Sequence, residues 1–237
     1  ELYSTSTDRG VGSTDMMGMT TYRMLDNLDN LKTERTAQLD LGFQAEHGAW
    51  SAWASAYAGL IKDFILLEYN TPTMRQPLAR NVDATIAGAE AGLGYQFTDH
   101  FQADISTMYA WGENTSDHRA LAQIAPLEGR LNLRYVDEKY SLGLLWRAVA
   151  KQNRISLNEG NVVGYDMNES KAFNTLAVNG TYRLTDAVDV SVGIDNLLDK
   201  AYTEHLNKAG ASTFGYAASE QFDNIGRNYW MRMSMKF

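Results

Sequence analysis

Soft-metal chemistry is the first possibility that the side chains offer. Met16, Met17 and Met19 are clustered, and Met24 follows shortly after. A thioether sulfur is a soft ligand that suits Cu(I), so several methionines in one external loop can capture copper and pass it on. Methionine also serves as flexible apolar filler where a loop folds onto a larger body, and the residues themselves leave both uses open. His118 and His205 fall in predicted polar loops, where an imidazole can meet a ligand. His47 and His100 fall in predicted short turns, where a polar turn residue needs no further explanation. Asp26-Asn27-Leu28-Asp29-Asn30 has the oxygen ligands a hard cation such as Ca²⁺ takes, and equally the composition of a solvated loop tip.

Catalytic constellations are absent. There is no cysteine, hence no disulfide frame, no CxxC zinc site and no thiol nucleophile. His-Glu-x-x-His, Gly-x-Ser-x-Gly, Gly-x-Gly-x-x-Gly and the P-loop are all missing. The chain therefore reads as a non-enzyme with no prosthetic group. A net charge of −8 argues against a nucleic-acid partner, since phosphate binding needs clustered Lys and Arg.

The elements that carry these residues show a period of two rather than 3.6. Phe101, Ala103, Ile105, Thr107, Tyr109 and Trp111 alternate with Gln102, Asp104, Ser106, Met108 and Ala110. Leu127–Tyr135, Tyr140–Trp146, Leu176–Leu184 and Tyr229–Phe237 alternate in the same way, as do Gln38–Ala45, Ser51–Ile61, Thr85–Phe97 and, more briefly, Val188–Asn196. This predicts about nine strands of roughly 9 to 14 residues. Soluble strands usually have about 5 or 6 residues, whereas a tilted strand needs about 9 to 11 to cross a bilayer. No apolar run is long enough for a membrane helix. Short turns at 47–49, 98–100, 137–139 and 185–187 alternate with long polar stretches at 4–33, 68–80, 113–125, 153–170 and 198–227. Short turns on one rim and long loops on the other is the pattern of an outer-membrane barrel. Phe43, Trp50, Tyr95, Phe97, Phe101, Tyr135, Tyr140 and Tyr182 lie beside the short turns, at the level that amphipathic rings prefer. One face carries Glu90, Asp104, Glu128, Arg130, Arg134, Arg147, Arg183, Arg232 and Lys236, and is expected to point inward. Met231, Met233 and Met235 alternate on the other face and are expected to contact lipid. The N-terminus lacks a basic segment followed by an apolar one, and reads as the interior of a longer chain.

Four stretches resemble TonB-dependent outer-membrane receptors. Val192-Gly193-Ile194-Asp195-Asn196-Leu197-Leu198-Asp199-Lys200-Ala201-Tyr202 is similar to the "G-(V/I)-x-N-L-(F/L)-D-K-x-Y" stretch near the end of that family. Gly226-Arg227-Asn228-Tyr229-Trp230 through Phe237 resembles its closing strand. Leu31–Thr36 resembles the start of a barrel strand, with Thr33 where Pro is usual, and Arg80–Glu90 resembles the "N-x-x-x-A-x-x-x-G-x-E" strand. In physical terms, Asn196 and its neighbours can hold a turn, with Leu197 and Leu198 anchoring the loop on the wall.

The resemblance implies an all-β fold: an antiparallel up-and-down transmembrane β-barrel portion, about nine strands of a roughly 22-stranded barrel, with the plug domain absent. Residues 1–237 then form the C-terminal part of that barrel. It also implies an integral protein of a Gram-negative outer membrane, surrounded by outer-membrane lipid. Contact with the TonB complex would run through the missing N-terminal plug, and the cargo would be a metal ion or metal complex. Tyr202-Thr203-Glu204-His205-Leu206-Asn207-Lys208-Ala209-Gly210 most resembles the copper-receptor branch, which makes copper the expected transported ligand. Met16, Met17, Met19, Met24 and His205 are the metal-ligand candidates. Zinc receptors carry similar stretches, so import of zinc or a ferric siderophore stands as the alternative, and a passive pore or surface receptor as another class. A siderophore pocket calls for aromatic and Arg groups on the loops, whereas these loops lean to Met, Asn and Asp.

Overall fold

The alternation is realised as one antiparallel sheet. The computed structural model describes residues 30–69, 78–207, 217 and 220–236. Its strands are β1 (Arg35–His47), β2 (Trp50–Glu68), β3 (Leu78–Gln96), β4 (Phe101–Asn114), β5 (Arg119–Ala120), β6 (Glu128–Val136), β7 (Tyr140–Val149), β8 (Glu159–Gly160), β9 (Phe173–Thr185), β10 (Val188–Asp195) and β11 (Asn228–Met235). The spatial order is β1-β2-β3-β4-β6-β7-β9-β10-β11, so every long strand pairs with its neighbour in sequence. The short β5 and β8 pair off this path with β4 and β2. This is the predicted up-and-down meander of nine long strands. β1 and β11 are its two open edges among the described residues.

Register decides which side chains share a face, because a slip of one residue would reverse every strand. Leu39 pairs with Ala58, which pairs with Ala87, which pairs with Trp111. Ile105, Leu131, Trp146 and Leu176 form a second row, and Tyr135, Leu142, Gly180 and Val192 a third. Val192 continues the third row to Met231. These rows lie on one side and stay open: Leu41 is 66% exposed, Leu142 55% and Met231 71%. Leu131 and Val178 are half-buried by their neighbours in the same single layer, with no second sheet over them among the described residues. A contiguous apolar side of this extent is not stable against water and marks a membrane-facing surface. About ten residues of a strand tilted near 40° rise about 25 Å, the height of the apolar band of such barrels.

The turn chemistry fits. Gly48 takes φ +59° in the two-residue connection between β1 and β2, a conformation that costs glycine nothing. The aromatic rim also forms as expected. Trp50 and Tyr95 have ring centroids 4.3 Å apart, Tyr95 and Phe97 4.7 Å, Phe97 and Phe101 5.3 Å, and Tyr135 and Tyr140 5.7 Å.

The long-loop side differs from expectation in extent. The loop predicted over 68–80 is narrower, because β2 runs to Glu68 and β3 begins at Leu78. The added length is supported from above, where Leu67 pairs with Gly160 and Glu68 with Glu159 of β8. Leu66, Leu67, Ala79 and Val82 are buried there. Nearby, Ile61, Ala84 and Leu121 form a small core with Phe64, Ile86 and Ile124 packed on it. The loops therefore fold inward over the sheet's upper end.

Candidate functional site

Three loops converge above the long-strand ends: 115–127 after β4, 150–172 after β7 and, after β10, the described segments 196–207 and 220–227. Their convergence is built from charges that the sequence scatters widely. Arg80, at the top of β3, meets Glu68, Asp117 and, at 3.4 Å, Glu159. Arg119 bridges Asp117 at 3.1 Å and also contacts Glu159. Ser156 Oγ donates to Glu159 Oε2 at 2.6 Å. The Arg80 guanidinium, helped by Asn114 and Arg119 and opposed by partial burial, holds the Asp117 carboxyl at about 2.

Asp166 is the buried centre, 1% exposed. Its Oδ1 accepts from the Gln123 backbone N–H at 3.0 Å and from Gln123 Nε2 at 3.1 Å. Its Oδ2 accepts from the Ser156 N–H at 2.9 Å. Burial alone would raise its carboxyl, but the His205, Ser156 and Gln123 contacts outweigh burial and hold it below the ordinary value. His205 Nε2 lies 3.3 Å from Asp166 Oδ1. The two groups are close but lack hydrogen-bond direction, and neither ring nitrogen of His205 has a hydrogen-bond partner among the described residues.

The residue before His205 is clamped independently. Glu204 Oε1 and Oε2 accept from Arg147 Nη1 and Nη2 at 2.7 and 3.0 Å. Arg147 Nη2 also donates to Glu128 Oε2 at 2.6 Å, and Arg130 Nε to Glu128 Oε1 at 2.6 Å. These are charge-assisted bonds, the stronger class. Tyr202 packs on Phe173 with centroids 4.4 Å apart, and Gln221 Nε2 holds the carbonyls of His205 and Asn207 at 3.0 and 2.8 Å.

At the foot of this loop, Asn196 is buried and takes φ +48°, a left-handed position that Asn tolerates. Its Nδ2 donates to Lys200 O and its Oδ1 accepts from Lys200 N, both at 2.9 Å. Asp199 Oδ1 accepts from the Arg227 N–H at 2.8 Å, and Arg227 Nε donates to Leu197 O at 2.9 Å. The turn is thus held by polar side chains. Leu198 does not anchor it as expected, since it is 67% exposed.

Of the metal-ligand candidates, His205 is described and is buried in this hub. Met16, Met17, Met19 and Met24 lie outside the described residues, as does most of the acidic stretch at 26–30. His118 stands exposed in the turn after β4. Among the described residues no group of three or more His, Cys, Asp or Glu is arranged to hold a metal ion. The sequence reading missed Asp166, Glu159 and Arg80. Their partners are far along the chain, and no local period marks them.

The family described as "TonB dependent receptor-like, beta-barrel" matches residues 1–197. Among solved structures, one titled "Copper transporter OprC" is similar at 48% identity and TM-score 0.86, covering 88% of this chain and 32% of that one. The FrpB iron transporter from Neisseria meningitidis (F3-3 variant) is similar at 20% identity and TM-score 0.65, covering 90% of this chain and 32% of that one. A mutant of the ferric enterobactin receptor from Pseudomonas aeruginosa is similar at 19% identity and TM-score 0.67, again covering 90% and 32%. The chain spans about a third of the length of each of these proteins. None of the curated proteins compared with the chain matches it.

Proposed function

The chain belongs to the TonB-dependent receptor β-barrel family, and from that premise we propose that the intact receptor imports copper across an outer membrane, capturing it at its external loops. The single observation that carries copper over other cargoes is the 48% identity with a copper transporter structure. The similarities at 20% identity and below, to iron and ferric enterobactin receptors, reflect a shared fold and say nothing of cargo. Copper is the substrate here, held and released rather than kept as a resident cofactor. The TonB complex acts through a plug that lies outside this chain, and outer-membrane lipid surrounds the wall.

Within this chain, Met16, Met17, Met19 and Met24 supply the soft sulfur donors that Cu(I) prefers. His205 supplies an imidazole whose ring nitrogens are buried and without hydrogen bonds among the described residues. A buried polar group left without a partner is costly unless something else uses it. The loop hub gives the chemistry a rigid support, since Arg147 clamps Glu204 before the imidazole and Gln221 holds the carbonyls of His205 and Asn207.

The test is metal analysis of the intact receptor grown with mixed metals, before and after replacing Met16, Met17, Met19 and Met24 together with Leu, and separately with His205→Gln. Copper enriched over zinc and iron in the parent, and reduced in the Met variant, is the expected result. Copper content unchanged in both variants removes these ligands. Enrichment of zinc or iron instead of copper removes the cargo assignment.

A further inference from the structure

On the outward side of the wall, Arg35 of β1 stands directly opposite Lys62 of β2. They lie just beyond the apolar column of Ala37, Leu39 and Leu41 and its partner Leu60, on the same face. Both are exposed. Like charges directly opposite one another on a sheet destabilise it. No carboxylate relieves them: among the described residues neither makes an ion pair or side-chain hydrogen bond. The acids nearby are engaged elsewhere. Asp63 is 3.9 Å from Lys32 Nζ, Glu34 Oε2 accepts from the Ile65 N–H at 3.3 Å, and Asp83 Oδ1 accepts from the Asp63 N–H at 3.1 Å.

A second pair of cations lies on the same rim. Pairing of β4 with β6 stops at Met108 and Glu128, while β4 continues to Asn114. The notch left in the wall is lined by Tyr109, Leu121, Ile124, Leu127, Lys151 and Arg154. The Arg154 guanidinium sits 4.8 Å over the ring of Trp111, and Arg154 Nη2 donates to Gly112 O at 3.3 Å. Arg154 also forms a long ion pair with Glu113 at 3.9 Å, whereas Lys151 is exposed without a partner among the described residues. Tyr109 and Trp111 share the face of Ile105, at the upper limit of the apolar band. The opposite rim has the reverse character: its four short turns carry Asp99, Asp137, Glu138 and Asp186, with Lys139 as their cation.

We propose that this outward-facing upper rim binds a phosphate-bearing lipid of the outer leaflet, Arg35 and Lys62 forming one phosphate site and Lys151 with Arg154 a second. A phosphate placed between Arg35 and Lys62 converts their repulsion into two charge-assisted contacts. The lipid's acyl chains then lie on Leu39, Leu41 and Leu60. An apolar column capped by unpaired cations is what an anionic lipid fits, and neither a water-soluble anion nor a neutral lipid uses both parts. The inference rests on the outer-membrane reading of the fold.

The experiment uses the intact receptor in detergent and native mass spectrometry with two lipids. One is a diphosphorylated diglucosamine lipid, and the other is the same lipid stripped of both phosphates. Retention of the phosphorylated form about tenfold more tightly is expected, with about a tenfold loss in the variant Arg35→Gln/Lys62→Gln. Millimolar inorganic phosphate is expected to leave the bound lipid in place. Equal retention of the two lipids by the unaltered receptor overturns the proposal, and that comparison stands even where the variant fails to assemble. So does full retention in an assembled double variant, or displacement of the lipid by inorganic phosphate. A receptor absent from the outer-membrane fraction instead overturns the membrane reading beneath it.

Discussion

Replacing Arg147 with Gln is expected to release the loop that carries Glu204 and His205 while leaving the wall intact. Arg147 makes two bonds to Glu204, at 2.7 and 3.0 Å, and one to Glu128, at 2.6 Å. Its side chain is 19% exposed and that of Glu204 31%, so solvent screens the pair only in part. A hydrogen bond to a charged group is worth about 1.5 to 3 kcal/mol. Glu128 keeps Arg130 after the change, and Glu204 keeps a 3.2 Å contact from Asn224 Nδ2, so the three bonds do not sum. A net loss of about 2 kcal/mol follows, which speeds amide exchange through local opening by roughly 30-fold. The assay is hydrogen exchange of peptides covering 200–207 in the intact receptor, with peptides from β7 and β9 as internal reference. Glu204→Gln alone and combined with Arg147→Gln completes a double-mutant cycle, expected to give about 1 to 2 kcal/mol of coupling. Unchanged exchange at 200–207, or additive single effects, would refute the clamp.

Acid is expected to loosen the loop hub. Asp117 sits at about 2 in the fold against 3.8 ordinarily, so it contributes stability above the ordinary value that is lost as pH falls toward about 2, and Asp166, also shifted down, adds a loss of the same sign. Exchange in 115–127 and 150–172, corrected for intrinsic rates, should rise over that window, and a flat profile contradicts the assignment. Asn196→Ala removes both contacts to Lys200 and leaves a strained left-handed position, so it should cost about 1 to 3 kcal/mol and expose 196–202 to protease, whereas Leu198→Ala should change little. Gly92→Ala drives a methyl into the Trp53 indole and should lower the melting temperature of the receptor in detergent, while adding Trp53→Ala should restore part of the loss.

The wall was legible because lipid and lumen impose opposite demands on alternate residues, and nine alternating runs became nine long strands in sequence order. The strand ends were less legible. β2 continues past a register shift between Ile61 and Phe64, where Asp63 takes φ +56°, and a bulge of this kind breaks the period that reveals a strand. The loops were hardest. Arg147 and Glu204 are 57 positions apart, and Arg80 and Glu159 are 79 apart. Such pairs exist because the sheet carries their loops to one place, and no spacing along the chain announces them. His205 shows the limit well. Its type and neighbours marked it as a ligand candidate, but its burial against Asp166 follows from the 150–172 loop folding over it. The Asn196 turn was readable because its holding groups are local, and Leu198 was misjudged because burial depends on what lies beyond the turn.

A barrel wall of this kind requires each long strand to show apolar side chains to lipid and polar ones to an enclosed lumen. The chain has no cysteine, so single spin-labelled cysteines can be placed along β6 at positions 130 to 134 in the intact receptor in bilayers. Accessibility to oxygen, which partitions into lipid, is predicted to peak at Leu131 and Leu133, and accessibility to a water-soluble nickel chelate at Arg130, Asn132 and Arg134. Collision with the nickel chelate at Leu131 and Leu133 as strong as at Arg130 would contradict it.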